Sequence, residues 1–148
     1  MIRSAKRLRL CYTLLCLLLV FIWGNSLMPA EISAGFSGWI KEILDKLLPG
    51  FSTGDGETGH HLLRKLAHFS EFAALGVTLS WLGGMKEWKR YLPLACGVSA
   101  ACVDEFLQLF SPGRSASIVD VGIDSSGVLT GMILLWSGYA IYQRKKRR

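Results

Sequence analysis

The chain has 148 residues, of which 51% are hydrophobic, with a mean hydropathy of +0.34 and a formal net charge of +6. This composition is too apolar for an ordinary soluble domain of the same length. Its four cysteines lie in apolar stretches without CxxC spacing, so they indicate neither a zinc site nor redox chemistry. The surplus basic residues flank apolar segments, which favours a membrane surface over nucleic acid as their partner.

Four apolar segments are long enough to cross a bilayer core, which is about 30 Å thick and needs roughly 20 helical residues. These predicted spans cover about 8–27, 66–84, 91–110 and 118–142. The sequence therefore predicts an all-α fold, a polytopic membrane protein with four transmembrane helices in a single domain over 8–142.

The flanking charges predict the orientation of the four spans. Basic residues precede the first span, separate the second from the third and follow the fourth. By the positive-inside rule, both termini are cytoplasmic, with basic tails at 1–7 and 143–148. The first span has the pattern of a signal peptide, but Met28 occupies a position where cleavage needs a small residue, so we expect an uncleaved anchor.

The long loop after the first span, predicted to lie outside the cell, has a pattern of its own. Apolar residues recur at helical spacing over 31–49 and charged residues fall between them, which is typical of an amphipathic helix. We interpret this segment as an interfacial helix, with a helix packed over the bundle as the alternative. Residues 51–61, rich in Gly, Ser and Thr, read as a linker.

Polar and ionisable side chains interrupt the apolar segments at corresponding positions. With the predicted orientation, they all lie near the outer boundary or about one helical turn deeper, roughly 5 Å. Ionisable groups in spans are costly and usually functional, so the alignment predicts one outward-facing site. The predicted ligand-binding residues are Arg64, Lys65, His68, Glu71, Glu105, Gln108, Arg114, Asp120 and Asp124, with Asp104 and Ser26 in the same region.

The residue spacing in the last span predicts which way its two aspartates face. Asp120, Asp124, Gly127 and Gly131 follow one another at spacings of four, three and four, so they share one helical face. A GxxxG face lets helix backbones approach closely in membranes. We therefore expect this face to pack against a neighbouring helix and to direct both aspartates into the bundle.

The same residues resemble the VanZ-like family of bacterial membrane proteins, over about residues 10–140. The segments that carry the resemblance are Ser26-Leu27-Met28-Pro29, Arg64-Lys65-Leu66-Ala67-His68-Phe69-Ser70-Glu71-Phe72, Asp104-Glu105-Phe106-Leu107-Gln108, Pro112-Gly113-Arg114 with Ser117, and Asp120-Val121-Gly122-Ile123-Asp124-Ser125-Ser126-Gly127 with Gly131. The resemblance implies a protein of the bacterial cell membrane. It also implies an association with low-level resistance to the glycopeptide teicoplanin.

Three functional interpretations remain open, and we favour the first. The site could bind an anionic head group, for example of a lipid-linked cell-wall precursor or another glycopeptide target, with Arg64, Lys65 and Arg114 as a basic rim. It could instead be an intramembrane enzyme acting on a phosphate-containing lipid, with catalytic candidates His68, Glu71, Asp104 and Glu105. In the third interpretation, the charges pair only to hold the bundle together.

The sequence assigns neither a cofactor nor an oligomeric state. No HExxH, CxxC or Gly-rich phosphate loop is present, and so we assign no metal ligands. A metal-assisted version of the enzyme would draw on His68, Glu71, Glu105 and Asp120.

Overall fold

A computed structural model describes residues 2–33, 35, 42 and 57–147 of the chain. These residues form four long helices: α1 (Ile2–Ser26), α2 (Glu57–Met85), α3 (Leu92–Gln108) and α4 (Ile118–Lys146). Residues 30–33 are helical as well, and the described residues contain no strand. The all-α prediction is confirmed. Most of the predicted interfacial helix at 31–49 lies outside the described residues.

Helix ends differ from the predicted spans in ways that local chemistry explains. The Gly, Ser and Thr content of 51–61 predicts a linker, but α2 already begins at Glu57, so the prediction is wrong for 57–61. The basic residues at both termini continue α1 and α4, since Lys and Arg are good helix formers. In α4, Asp120 lies in the first turn and three basic residues in the last, which suits the helix dipole at both ends.

The core lies around α2, which packs against each of the other three helices. Its fully buried Phe72 and Leu75 contact an apolar cluster contributed by every helix. The other buried members are Ile22, Leu79, Ala100, Ala101, Val128 and Met132. Large apolar side chains also cover the outside of the bundle, for example Leu17, Val20 and Leu134, as expected where the surroundings are lipid rather than water.

The GxxxG face of α4 packs directly against the backbone of α2, as the sequence predicts. A Cβ atom added to Gly127 would meet the carbonyl oxygen of Phe69, and one added to Gly131 would meet that of Ala73. Only a residue without a side chain permits so close an approach. The contact sets the rotation of α4, and so Asp124, on the same face, is buried.

Two of the described helices are long and apolar enough to cross a membrane, at Ala5–Ser26 in α1 and at Ile118–Lys146 in α4. The prediction of four transmembrane helices is thus supported for two by length and composition. The other two helices, α2 and α3, do not meet these criteria of length and composition. The first half of α2 contains the charged residues Arg64, Lys65 and Glu71. Helix α3 has only 17 residues and carries Asp104 and Glu105.

Candidate functional site

The polar residues collect at one end of the bundle. There, the segment that follows α1 is hydrogen-bonded to the turn between α3 and α4. The Ala30 amide donates to the carbonyl oxygen of Pro112 at 3.1 Å, and the Ser111 hydroxyl donates to that of Met28 at 2.7 Å. Gly113 takes a positive φ of 74°, which glycine adopts without strain. These contacts fix the turn that carries Arg114 against the end of α1.

Asp104 lies at the centre of this end and has no exposed surface. The Ser26 hydroxyl lies 2.7 and 2.8 Å from its two carboxylate oxygens. The side-chain amide of Gln108, one turn further along α3, donates to Asp104 Oδ2 at 3.1 Å. Residues of two helices therefore hold the Asp104 carboxylate in a fixed orientation.

Glu105 is engaged with the start of α4. Its Oε2 accepts a hydrogen bond of 2.7 Å from the backbone N–H of Ser117, the N-cap residue of that helix. Its Oε1 accepts one of 3.0 Å from the Gln108 amide. A carboxylate at a helix N-terminus satisfies a free donor and suits the helix dipole. Both oxygens of Glu105 are thus occupied in joining α3 to α4.

Glu71 and His68 on α2 each keep a buried polar atom without a hydrogen-bond partner among the residues that the structure describes. Glu71 Oε1 accepts a bond of 3.0 Å from the Asn25 amide, but Glu71 Oε2 has no such partner. His68 Nδ1 lies 3.9 Å from that oxygen and 3.8 Å from Asp104 Oδ2. These distances exceed a hydrogen bond, so the imidazole faces two carboxyl groups across a gap.

The three basic side chains at the site have different surroundings. Lys65 Nζ lies 2.8 Å from Asp120 Oδ1, so its charge is largely balanced. Arg114 buries its Nε and Nη1 without a hydrogen-bond partner among the described residues. Burial lowers the pKa of Arg114 from its ordinary value, as does the charge of Arg64, whereas the nearby carboxylates raise it. An arginine in a protein remains protonated despite such effects on its pKa.

Two cavities meet at His68 and Arg64. The smaller, between α2, α3 and α4, has a volume of about 20 Å³, room for one water molecule or one cation. Its lining also includes Glu105, Gln108, Asp120 and Asp124, with Lys65 and Ile123. The larger, of about 590 Å³, lies beside α1 and α2; its lining surface is mainly apolar, and Asn25, His68 and Glu71 are among its polar lining residues.

The structure therefore brings the predicted site residues to one place. Among the described residues, the acidic and histidine side chains whose ligand atoms come together are His68, Asp104 and Asp124, all within 4.8 Å of one another. This set differs from the metal-assisted alternative of His68, Glu71, Glu105 and Asp120. The reason is that Glu105 is bound to the Ser117 amide and Asp120 to Lys65.

Two partners at the site are not apparent from the sequence pattern. Asn25 bonds Glu71, and Ser26 bonds Asp104, although each pair is far apart in sequence. The sequence feature that could have revealed them is their position: they are two polar residues at the end of an otherwise apolar segment, at the depth predicted for the acidic side chains of the site. Ser26, which the sequence places in the region of the site without indicating its partner, thus contacts Asp104 at the centre of the site.

Comparison with known proteins gives one family. Neither the curated proteins nor the solved structures contain a match to this chain. The family model described as VanZ/LLP1 matches residues 11–141, which include α2, α3, most of α1 and α4, and every residue of the polar site. This match and the two apolar helices support a membrane protein. The chain belongs to the VanZ/LLP1 family.

Proposed function

We propose that the protein crosses the bacterial cell membrane four times and binds the anionic head group of a membrane amphiphile at an outward-facing site. Both termini lie in the cytoplasm, because the basic residues flank that side of every span. The polar site is then at the outer boundary. A lipid-linked cell-wall precursor has the required chemistry, an anionic head on an apolar chain.

The observation that carries this proposal is the shape of the larger cavity. Phe21, Met28, Ile32 and Leu66 contribute apolar surface to its lining, and His68 and Glu71 contribute polar groups. A volume of about 590 Å³ falls in the range of small-molecule sites, and apolar walls with a few polar groups are typical of them. The small polar cavity alone could not hold a head group.

Arg114 supplies the attraction for an anion. Two of its guanidinium nitrogens are buried without a hydrogen-bond partner in the described part of the chain, which is costly unless a ligand accepts from them. A guanidinium binds phosphate or carboxylate through paired N–H donors. The start of α4 also presents backbone N–H groups on this side.

The test is mass spectrometry of the lipids retained by purified wild-type protein and by Arg114→Ala. We expect an acidic amphiphile on the wild type and about 10-fold or more lower retention in the variant, since bonds to a charged group contribute about 1.5–3 kcal/mol. Arg144→Ala removes an exposed arginine at the other end of the bundle and should retain lipid normally. Equal lipid profiles for wild type and Arg114→Ala would refute the proposal.

A second function has one specific observation in its favour. The unbonded His68 Nδ1 faces Glu71 and Asp104 at 3.9 and 3.8 Å, an arrangement suited to acid–base chemistry on a phosphate-containing lipid. Conversion of a retained lipid by wild-type protein, lost in His68→Gln, would establish an enzyme. Retention of that lipid unchanged over the same period would favour binding alone.

The resistance association implied by the resemblance is proposed for the same site. Production of the wild-type protein in a glycopeptide-susceptible bacterium should raise tolerance to teicoplanin, and Arg114→Ala should abolish the increase at equal protein level. Unchanged tolerance with wild-type protein would separate this chain from resistance.

A further inference from the structure

We infer that His68, Asp104 and Asp124 form a binding site for a divalent transition-metal ion next to the small cavity, which His68 and Asp124 line. One imidazole nitrogen and one oxygen from each carboxylate lie within 4.8 Å of one another there. The three residues come from α2, α3 and α4, so an ion at this point would join three helices.

Asp124 is the first reason. It is 2% exposed and forms neither a hydrogen bond nor an ion pair with the described residues. It nevertheless lines the small cavity together with His68. A buried charge is strongly unfavourable unless it is paired or coordinates a metal. Asp104 differs, because Ser26 and Gln108 hold it in place.

The charges around the cavity are the second reason. Among the described residues around the cavity, five carboxyl groups face three cationic side chains: Glu71, Asp104, Glu105, Asp120 and Asp124 against Arg64, Lys65 and Arg114. Lys65 is already paired with Asp120, and Arg114 forms no ion pair within the described residues. When all five carboxyl groups are ionised, they outnumber the three cationic side chains by two charges, which one divalent cation would balance.

Size and spacing fit a bare ion. The cavity volume of about 20 Å³ accommodates one small cation or one water molecule. His68 Nδ1 lies 3.8 Å from Asp104 Oδ2, close to the separation of two ligands bound at about 2.1 Å to one ion. Two ligands bound tetrahedrally at about 2.1 Å lie roughly 3.4 Å apart, so donors separated by 4.8 Å would need to draw together by about 1.4 Å through side-chain rotation.

The surrounding bonds resemble the outer partners of metal sites. Such partners orient ligating carboxylates and are part of what determines affinity. Ser26 and Gln108 both bond Asp104, and Asn25 fixes Glu71, whose unbonded Oε2 lies 3.9 Å from His68 Nδ1. Glu71 is therefore placed to take a further hydrogen bond from a water on the ion.

The donor types select the class of metal. A site of one imidazole and two carboxylates suits Mn²⁺ or Zn²⁺, whereas Mg²⁺ and Ca²⁺ favour oxygen ligands throughout. Zn²⁺ should bind more tightly than Mn²⁺, following the usual order of divalent affinities. The metal site shares His68 with the larger cavity, but its test needs no lipid, so the metal inference and the lipid proposal can fail separately.

The experiment is electron paramagnetic resonance of Mn²⁺ added to metal-stripped protein in detergent without added lipid. His60 and His61 are the other two histidines of the chain, so the double variant His60→Gln, His61→Gln serves as the background. We expect one bound Mn²⁺ with nitrogen coupling from a single imidazole, and displacement of that ion by Zn²⁺ but not by Mg²⁺. No bound Mn²⁺, or bound Mn²⁺ without nitrogen coupling, would overturn the inference.

Substitutions in the same background locate the ion. Asp124→Asn and His68→Gln should each weaken Mn²⁺ binding by more than the ~10–100-fold that loss of an outer partner causes. Glu87→Gln removes a carboxylate from the exposed turn between α2 and α3 and should bind normally. Unchanged affinity in a folded Asp124→Asn protein would refute the site. If neither variant folds, the nitrogen coupling in the background protein decides the question by itself.

Discussion

The Ser26 hydroxyl, at the last residue of α1, lies 2.7 and 2.8 Å from the two carboxylate oxygens of Asp104 on α3. Neither residue has exposed surface. This buried contact ties the otherwise apolar α1 to the polar end of the bundle. It also explains why a serine at the end of an apolar span belongs to the site.

Ser26→Ala should destabilise the protein by about 1.5–3 kcal/mol, the contribution of a hydrogen bond to a charged group. The free energy of unfolding can be measured by titrating purified protein with denaturing detergent and following helix content. Ser99→Ala removes an exposed hydroxyl that bonds only to its own helix, at Ala95, and should change stability by less than ~0.5 kcal/mol. Similar values for both variants would contradict the proposed contribution of Ser26.

The close approach of α4 to α2 predicts a different response at two glycines of one helix. Gly131→Ala would place a methyl group against the Ala73 carbonyl, and we expect a loss of about 1–3 kcal/mol, as for other overpacked positions. Gly138→Ala meets nothing within 4 Å, so the better helix propensity of alanine should leave stability unchanged or slightly higher. The same unfolding titration measures both. Equal effects would show that α2 and α4 are less closely packed.

Much of the site could be predicted because the position of a residue along its span gives its depth in the membrane. Span ends and helical spacing place His68 near the outer boundary with Glu71 and Asp124 about one turn deeper, and the structure brings these side chains together. The bonding partners depend on how each helix is rotated about its axis. The GxxxG phase indicates that rotation for α4 alone. The Lys65–Asp120 pair and the bond from the Ser117 amide to Glu105 were therefore beyond prediction.

The start of α2 shows a second limit. Composition around 51–61 favours a linker, yet helix α2 begins at Glu57. Hydropathy does not predict where a helix begins outside the apolar layer, because the helical turns outside that layer can be polar. The length and hydropathy criteria also recognise α1 and α4 but not α2 and α3, whose polar residues form the site.

The ion pair between Lys65 and Asp120 should restrain anion binding. Their side chains are 39% and 29% exposed, so the pair contributes only about 0.2–1 kcal/mol. Asp120→Asn frees the Lys65 charge, and we expect retention of the acidic amphiphile to rise about 2–5-fold. Quantitative lipid mass spectrometry measures the change, with Glu87→Gln at the opposite end as the control. Lower retention in Asp120→Asn would mean that Asp120 itself contacts the ligand.

Labelling of introduced cysteines distinguishes four spans from two. Cys16, Cys96 and Cys102 are exposed on the bundle and are first replaced by Ala, and single cysteines are then introduced as Ser115→Cys or Lys86→Cys. With four spans and cytoplasmic termini, a membrane-impermeant maleimide applied to intact cells should label position 115 but not position 86. Position 86 should react only after the membrane is opened. If only α1 and α4 cross, both positions lie outside and both should be labelled, which would contradict the proposed four-span topology.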